Sequence, residues 1–121
     1  MDGDIMSGEF QDLTGKKLGQ AALTTTTVIL YETPANTRTY IKDIMVANHS
    51  GPSGSTGTVS VYIVPAGGAA SNDNELIGTV NVLKQEYLHW SGLQITNPGD
   101  TIQAVSDGTE LTITISGAEA I

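Results

Sequence analysis

Residues Thr37–Pro65 read TRTYIKDIMVANHS, then GPSGSTG, then TVSVYIVP. In the last segment Val59, Val61 and Ile63 alternate with Ser60, Tyr62 and Val64. In the first, Ile44 and Val46 alternate with Asp43, Met45 and Ala47. A period of two in β-branched residues is what a strand with one buried face requires. Two such segments across a glycine- and serine-rich loop predict a hairpin. An isolated hairpin is marginal in water, so the rest of the chain must supply strands to cover it.

The flanking sequence supplies them. The TTTTVILY run within Ala21–Tyr31 has high β propensity, and Pro34 and Asn36 punctuate the turn that follows. After a polar loop, PAGGAASNDNE, a strand is read from the alternation of Leu76, Gly78, Val80 and Val82. Tyr87–Leu93 reads as a short strand carrying the sole tryptophan, Trp90. Pro98–Asp100 is a turn, and Ile102 and Ala104 share one strand face. Asp107–Gly108 is a two-residue hairpin signal ahead of Leu111, Ile113 and Ile115. Seven or eight strands at near-regular spacing, with no helical window, predict an all-β antiparallel sandwich, either jelly-roll or immunoglobulin-like.

Residues 1–20 read differently. Gly3, Gly8, Gly15 and Gly19 interrupt them, Asp2, Asp4, Glu9 and Asp12 make them acidic, and their apolar residues are too sparse for a core. The expected organisation is an extended N-terminal arm, 1–20, and a sandwich domain, 21–121. An arm of this composition is ordered only when something holds it. Ile5, Met6, Phe10, Leu13 and Leu18 are therefore the expected contacts of the arm, most simply with a neighbouring subunit, the alternative being the chain's own domain.

The totals narrow the function. The 121 residues carry a net charge of −8, and the only bases are Lys16, Lys17, Arg38, Lys42 and Lys84. Without a basic patch there is nothing to neutralise phosphates, so neither nucleic acid nor an anionic membrane is an expected partner. The absence of cysteine removes disulfides, thiolate metal sites and cysteine nucleophiles. No apolar run approaches the ~20 residues of a membrane span, and the acidic start lacks the pattern of a signal peptide.

Candidate chemistry is thin. His49 and His89 lack the close spacing to a second ligand that metal sites use. Asn72–Glu75 crowds oxygen-bearing side chains contiguously, whereas calcium loops space them at alternating positions. Asp100, Asp107 and Glu110 sit in turn contexts rather than as a catalytic pair. No catalytic residue, cofactor or metal is expected, and the protein reads as a non-enzyme. A different class of function, a carbohydrate-binding or adhesin module, would use Trp90, Tyr87 and Tyr62 as an aromatic platform.

From Leu18 to Gly117 the chain resembles a family of small structural proteins of tailed-phage and prophage virions. The resemblance is carried by LGQAALTTTTVILYETPANTRTYIKDIMVAN, by SVYIVPAGG, and by GLQITNPGDTIQA with LTITISG. Within these, Leu30, Tyr31, Pro34 and Ala35 form a turn pattern. Ile41, Ile44, Val46 and Asn48 form one strand pattern, and Gly99, Asp100 and Ile102 another. The resemblance implies a β-sandwich building block of a virion, a head decoration or cement protein or a collar or tail accessory. It brings no catalytic residues. Expected partners are further copies of the chain, a trimer among the options, and other virion proteins such as major capsid, neck or tail proteins. The expected location is the virion, after synthesis in the host cytoplasm.

Overall fold

The computed structural model describes residues 13–121. Eight strands account for most of them: β1 (Leu13–Ala22), β2 (Val28–Glu32), β3 (Arg38–Asn48), β4 (Gly57–Val64), β5 (Glu75–Val82), β6 (Tyr87–Thr96), β7 (Thr101–Ser106) and β8 (Leu111–Ala120). A single 3₁₀ turn, Asn72–Asn74, precedes β5. The strands form two four-stranded antiparallel sheets, ordered β1-β8-β3-β6 and β2-β7-β4-β5. Successive strands switch sheets everywhere except between β4 and β5. This is the jelly-roll order, in which two Greek keys wrap into a double sheet. It excludes the immunoglobulin-like alternative.

The alternation found in the sequence sets the faces. Along β3, Ile41, Ile44 and Val46 are fully buried, and along β8 so are Leu111, Ile113 and Ile115. Val59 and Val61 of β4 and Ile102 and Ala104 of β7 meet them from the second sheet. Each buried Val, Leu or Ile contributes roughly 1.5–3 kcal/mol relative to exposure. The fully buried core is aliphatic, and Tyr31 and Trp90 pack against it half-buried.

Several expectations are corrected. The two strands of Thr37–Pro65 are not a hairpin: β3 lies in the first sheet and β4 in the second. Periodicity marks the buried face of a strand but not its partner. The intervening loop is a crossover, and Asn48 anchors its base. The Asn48 amide donates to the carbonyls of Ser55 (2.8 Å) and Val82 (2.9 Å), and its Oδ1 accepts from the Ser50 amide and hydroxyl. Asp107–Gly108 likewise joins β7 to β8 across the sheets. Its aspartate accepts from the Thr58 amide instead of closing a hairpin. Thr24–Thr27 is not strand despite its propensity, because the chain crosses between sheets there. Leu23 is fully buried, and the Thr24 carbonyl receives the Ser106 amide. In β5 the buried residues are Ile77 and Val82, since Gly78 and Thr79 bulge opposite Ser60 and shift the alternation. The Ser60 hydroxyl accepts from the Thr79 amide in that gap.

The boundary between arm and domain also moves. Residues 13–20 belong to β1, which pairs with β8 from Leu13↔Ala120 to Ala22↔Thr112. Leu18 is a core residue and not an intersubunit contact. Its neighbours explain why the sparse apolar content sufficed. β1 is an edge strand that needs one inward leucine, and Gly19 lets it approach the Leu30 carbonyl of β2 closely. Ile5, Met6 and Phe10 lie outside the described residues.

Candidate functional site

The outward face of the first sheet carries Leu13, Met45, Tyr87, Leu93 and Ile95 among the exposed large apolar residues. On β3 the buried residues alternate with Tyr40, Asp43 and Met45, which point away from the core. Register carries this outward parity across the sheet. Gly15 of β1, Ala118 of β8, Tyr40 of β3 and Ile95 of β6 form one row. Around it, Leu13, Tyr40, Lys42, Leu93 and Ala118 line an open recess of about 370 Å³. Leu13 is 65% exposed, Leu93 52% and Ile95 49%. Met45 and Tyr87 extend the exposed apolar residues along the same face. Scattered single apolar residues on a surface are ordinary, but a contiguous set is a mark of an interaction site.

The two register irregularities of β3 fall beside the recess. β3 and β6 shift register between Ile41 and Asp43, which pushes Lys42 out and displaces Gly92–Leu93 from the regular ladder. β8 shifts at the same place. There Gly117 comes so close to the Tyr40 carbonyl that no Cβ would fit. Bulges re-aim side chains, and this one aims a lysine and a leucine outward together.

A polar plug closes the same end of the sandwich from within. Thr39 and Thr96 are fully buried, and the Thr96 and Thr33 hydroxyls bond at 2.7 Å. Tyr31, from the second sheet, donates its hydroxyl to Glu119 at 2.5 Å and lies 2.7 Å from the Thr39 hydroxyl. Lys16 reaches Glu119 at 3.3 Å. Burial, reinforced by the bond to Glu119, pushes the Tyr31 phenol up to about 12. The bond from Tyr31 is the largest influence holding the Glu119 carboxyl below its ordinary 4.5, against the effect of burial.

The aromatic trio does not form a platform. Trp90 points inward, opposite Ile44, and packs half-buried against the core. Tyr87, an odd number of residues away on the same strand, points outward. Tyr62 is on β4 in the other sheet.

The other singled-out residues serve turns and strand pairing. Ser71 and Asn74 cap the 3₁₀ turn reciprocally, and the Asn74 amide donates to the Ala69 carbonyl. Asp100 accepts from the amides of Asn97 and Ala66. His89 pairs with Asp43 at 2.8 Å on the outward face, and the His49 amide donates to the Glu110 carbonyl. Among the described residues no group of three or more His, Cys, Asp or Glu is placed to hold a metal ion. No described helix is long and apolar enough to cross a membrane.

Tyr40, Lys42, Leu93, Ile95 and Ala118 were not expected from the sequence as site residues. A signal was present: β6 is apolar in both parities, with Leu88 and Trp90 on one and Tyr87 and Ile95 on the other. A strand covered on one face alone does not need that.

No family model and no curated protein matches the chain. Solved structures do. A Bacillus endospore appendage protein, from a family of disulfide-linked pili, superposes with a TM-score of 0.56 at 15% identity, covering 92% of this chain and 89% of that one. At that identity the likeness shows the fold alone. Two weaker matches are a Clostridium thermocellum endo-1,4-β-D-xylanase with its carbohydrate-binding module and infectious bursal disease virus. The first has a TM-score of 0.39 at 16% identity, and the second 0.37 at 13%. Each covers 93% of this chain, which spans 25% and 32% of those chains.

Proposed function

We propose that the protein is a non-enzymatic structural subunit that assembles with further copies of itself into a larger particle. The observation that carries the reading is the open recess on the outward face of the first sheet, where the exposed Leu13 and Leu93 meet Tyr40 and Ala118 around Lys42 and Ile95 is exposed beside them. Water penalises such a face by roughly 25 cal/mol for each Å² left uncovered, and a partner removes the penalty. The resemblance of Leu18–Gly117 to virion proteins supports a place in a tailed-phage particle, as capsid decoration or cement or as a collar or tail accessory. Other virion proteins are then its further partners.

The likeness to a pilus subunit gives a second reading of the same class, a filament rather than a shell or ring. The pili of that match are disulfide-linked. This chain has no cysteine, so no disulfide of its own links its copies. The carbohydrate-binding alternative draws no support from Trp90, which is committed to the core.

The described sandwich is complete from Leu13, so deletion of residues 2–12 is expected to leave a folded domain. Particles from the producing cell should contain the full chain, and the deletion variant should fold yet be missing from them. Electron microscopy of the same preparation separates a shell or ring from a filament. Full incorporation of the deletion variant contradicts the role of the leading segment. A full chain that enters no assembly contradicts the reading as a whole.

A further inference from the structure

We infer that the recess on the outward face of the first sheet is the receptor for residues 1–12 of a second copy of the chain. The inference rests on the assembly reading above and names the surface that performs it.

Chemistry is the first ground. Residues 1–12, MDGDIMSGEFQD, combine Ile5, Met6 and Phe10 with four carboxylates and no lysine or arginine. The receiving surface is the complement. Its lining is Leu13, Tyr40, Leu93 and Ala118 around Lys42. Four of the chain's five bases, Lys16, Lys17, Arg38 and Lys42, lie on β1 and β3 at this end of the sheet. Lys16 is engaged with Glu119. Arg38, Lys42 and Lys17 are exposed. Asp43, the nearby outward carboxylate of β3, is paired with His89. An acidic segment with apolar anchors meets a basic rim and an apolar floor.

Size is the second ground. From Ile5 to Phe10 an extended chain spans ~17 Å at the rise of a strand. The row Gly15, Ala118, Tyr40, Ile95 crosses three inter-strand gaps, ~14 Å. A segment laid across the strands can seat Phe10 in the recess and carry Ile5 and Met6 to the exposed Ile95 at the β6 edge.

Direction is the third. The first described residue of β1, Leu13, lies opposite Ala120, the last residue of β8. A leader that kept the course of β1 would run past the end of β8, away from its own recess and toward a second copy. To seat its own Phe10 in its own recess the leader would have to reverse within Gln11 and Asp12. Exchange between copies therefore fits the strand geometry better than self-docking.

The test is photo-crosslinking of the full chain with p-benzoylphenylalanine at position 10. Unlabelled and ¹⁵N-labelled protein are mixed before assembly, and the crosslinked peptides are identified by mass spectrometry. The expected result is mixed-label crosslinks joining position 10 to peptides that contain Tyr40, Leu93 or Ala118. Leu93→Asp, at a residue half-exposed to solvent, should lower their yield at least tenfold while circular dichroism shows the same fold. High salt should also lower it, because the basic rim contributes. Crosslinks to these peptides found only in same-label pairs would show the chain's own leader in the recess and overturn the inference. Mixed-label crosslinks confined to another surface would overturn it too, while leaving the assembly reading intact. A protein that stays monomeric throughout would overturn both.

Discussion

The Tyr31 hydroxyl donates to the Glu119 carboxylate across the gap between the two sheets. Tyr31 sits on β2 and Glu119 on β8, 88 residues apart in sequence, and Thr39 and Lys16 complete the group. Removing the hydroxyl as Tyr31→Phe takes a charge-assisted bond from a partly exposed site. The expected loss is about 1 kcal/mol at neutral pH, measured by urea denaturation.

The same bond gives stability a pH signature. Glu119 titrates below its ordinary 4.5, so its contribution is present above that value and is lost as pH falls through the folded value. Tyr31 is raised from 10 to about 12, so its contribution is present below pH 10 and is lost as pH rises towards 12. Subtracting the stability profile of Tyr31→Phe from that of the native protein should leave a plateau between about pH 5 and 10 that falls on both sides. A flat difference would show that the bond does not form in solution.

Asn48 is expected to be intolerant of its closest replacement. Its amide is buried and donates to two carbonyl oxygens, those of Ser55 and Val82. Asn48→Asp exchanges that donor for a carboxylate facing both. The cost should exceed about 3 kcal/mol at neutral pH and shrink in acid, where the carboxyl can donate. Thermal melts at two pH values check it.

Thr33 and Thr96 offer a cleaner measurement. Their hydroxyls satisfy each other in the plug. Either single change to valine strands one buried hydroxyl and should cost about 1–3 kcal/mol. The double change removes both and should recover much of that loss. A double-mutant cycle with no coupling would contradict the pairing.

Gly117→Ala tests the bulge that shapes the recess. The added methyl would collide with the Tyr40 carbonyl, a backbone atom that cannot swing aside. Destabilisation of about 1–3 kcal/mol is expected, together with weaker self-association.

These sites differ in how far the sequence disclosed them. The inward residues of β3, β4, β7 and β8 were legible because alternation of β-branched residues reports burial directly. Pairing was not. Ser50–Gly57 and Asp107–Gly108 look like hairpin turns, yet both carry the chain between sheets, and nothing local distinguishes the two uses. Thr24–Thr27 misled for the opposite reason, since strong strand propensity yielded to the need to cross over. The acidic leader was visible in composition, but its boundary was not. Leu18 joins the core only because β8 and Leu30 of β2 are there to receive β1, and both lie far along the chain or across the sandwich. The recess was hidden in the same way. Leu13, Tyr40, Leu93 and Ala118 come from four strands and meet only through the jelly-roll order.

Sedimentation velocity of the full chain, from about 1 µM to about 1 mM, bears most directly on whether this is a self-assembling subunit. The account predicts a concentration-dependent rise above the single-chain mass that Leu93→Asp suppresses. A single-chain mass across the whole range, unchanged by that substitution, would contradict it.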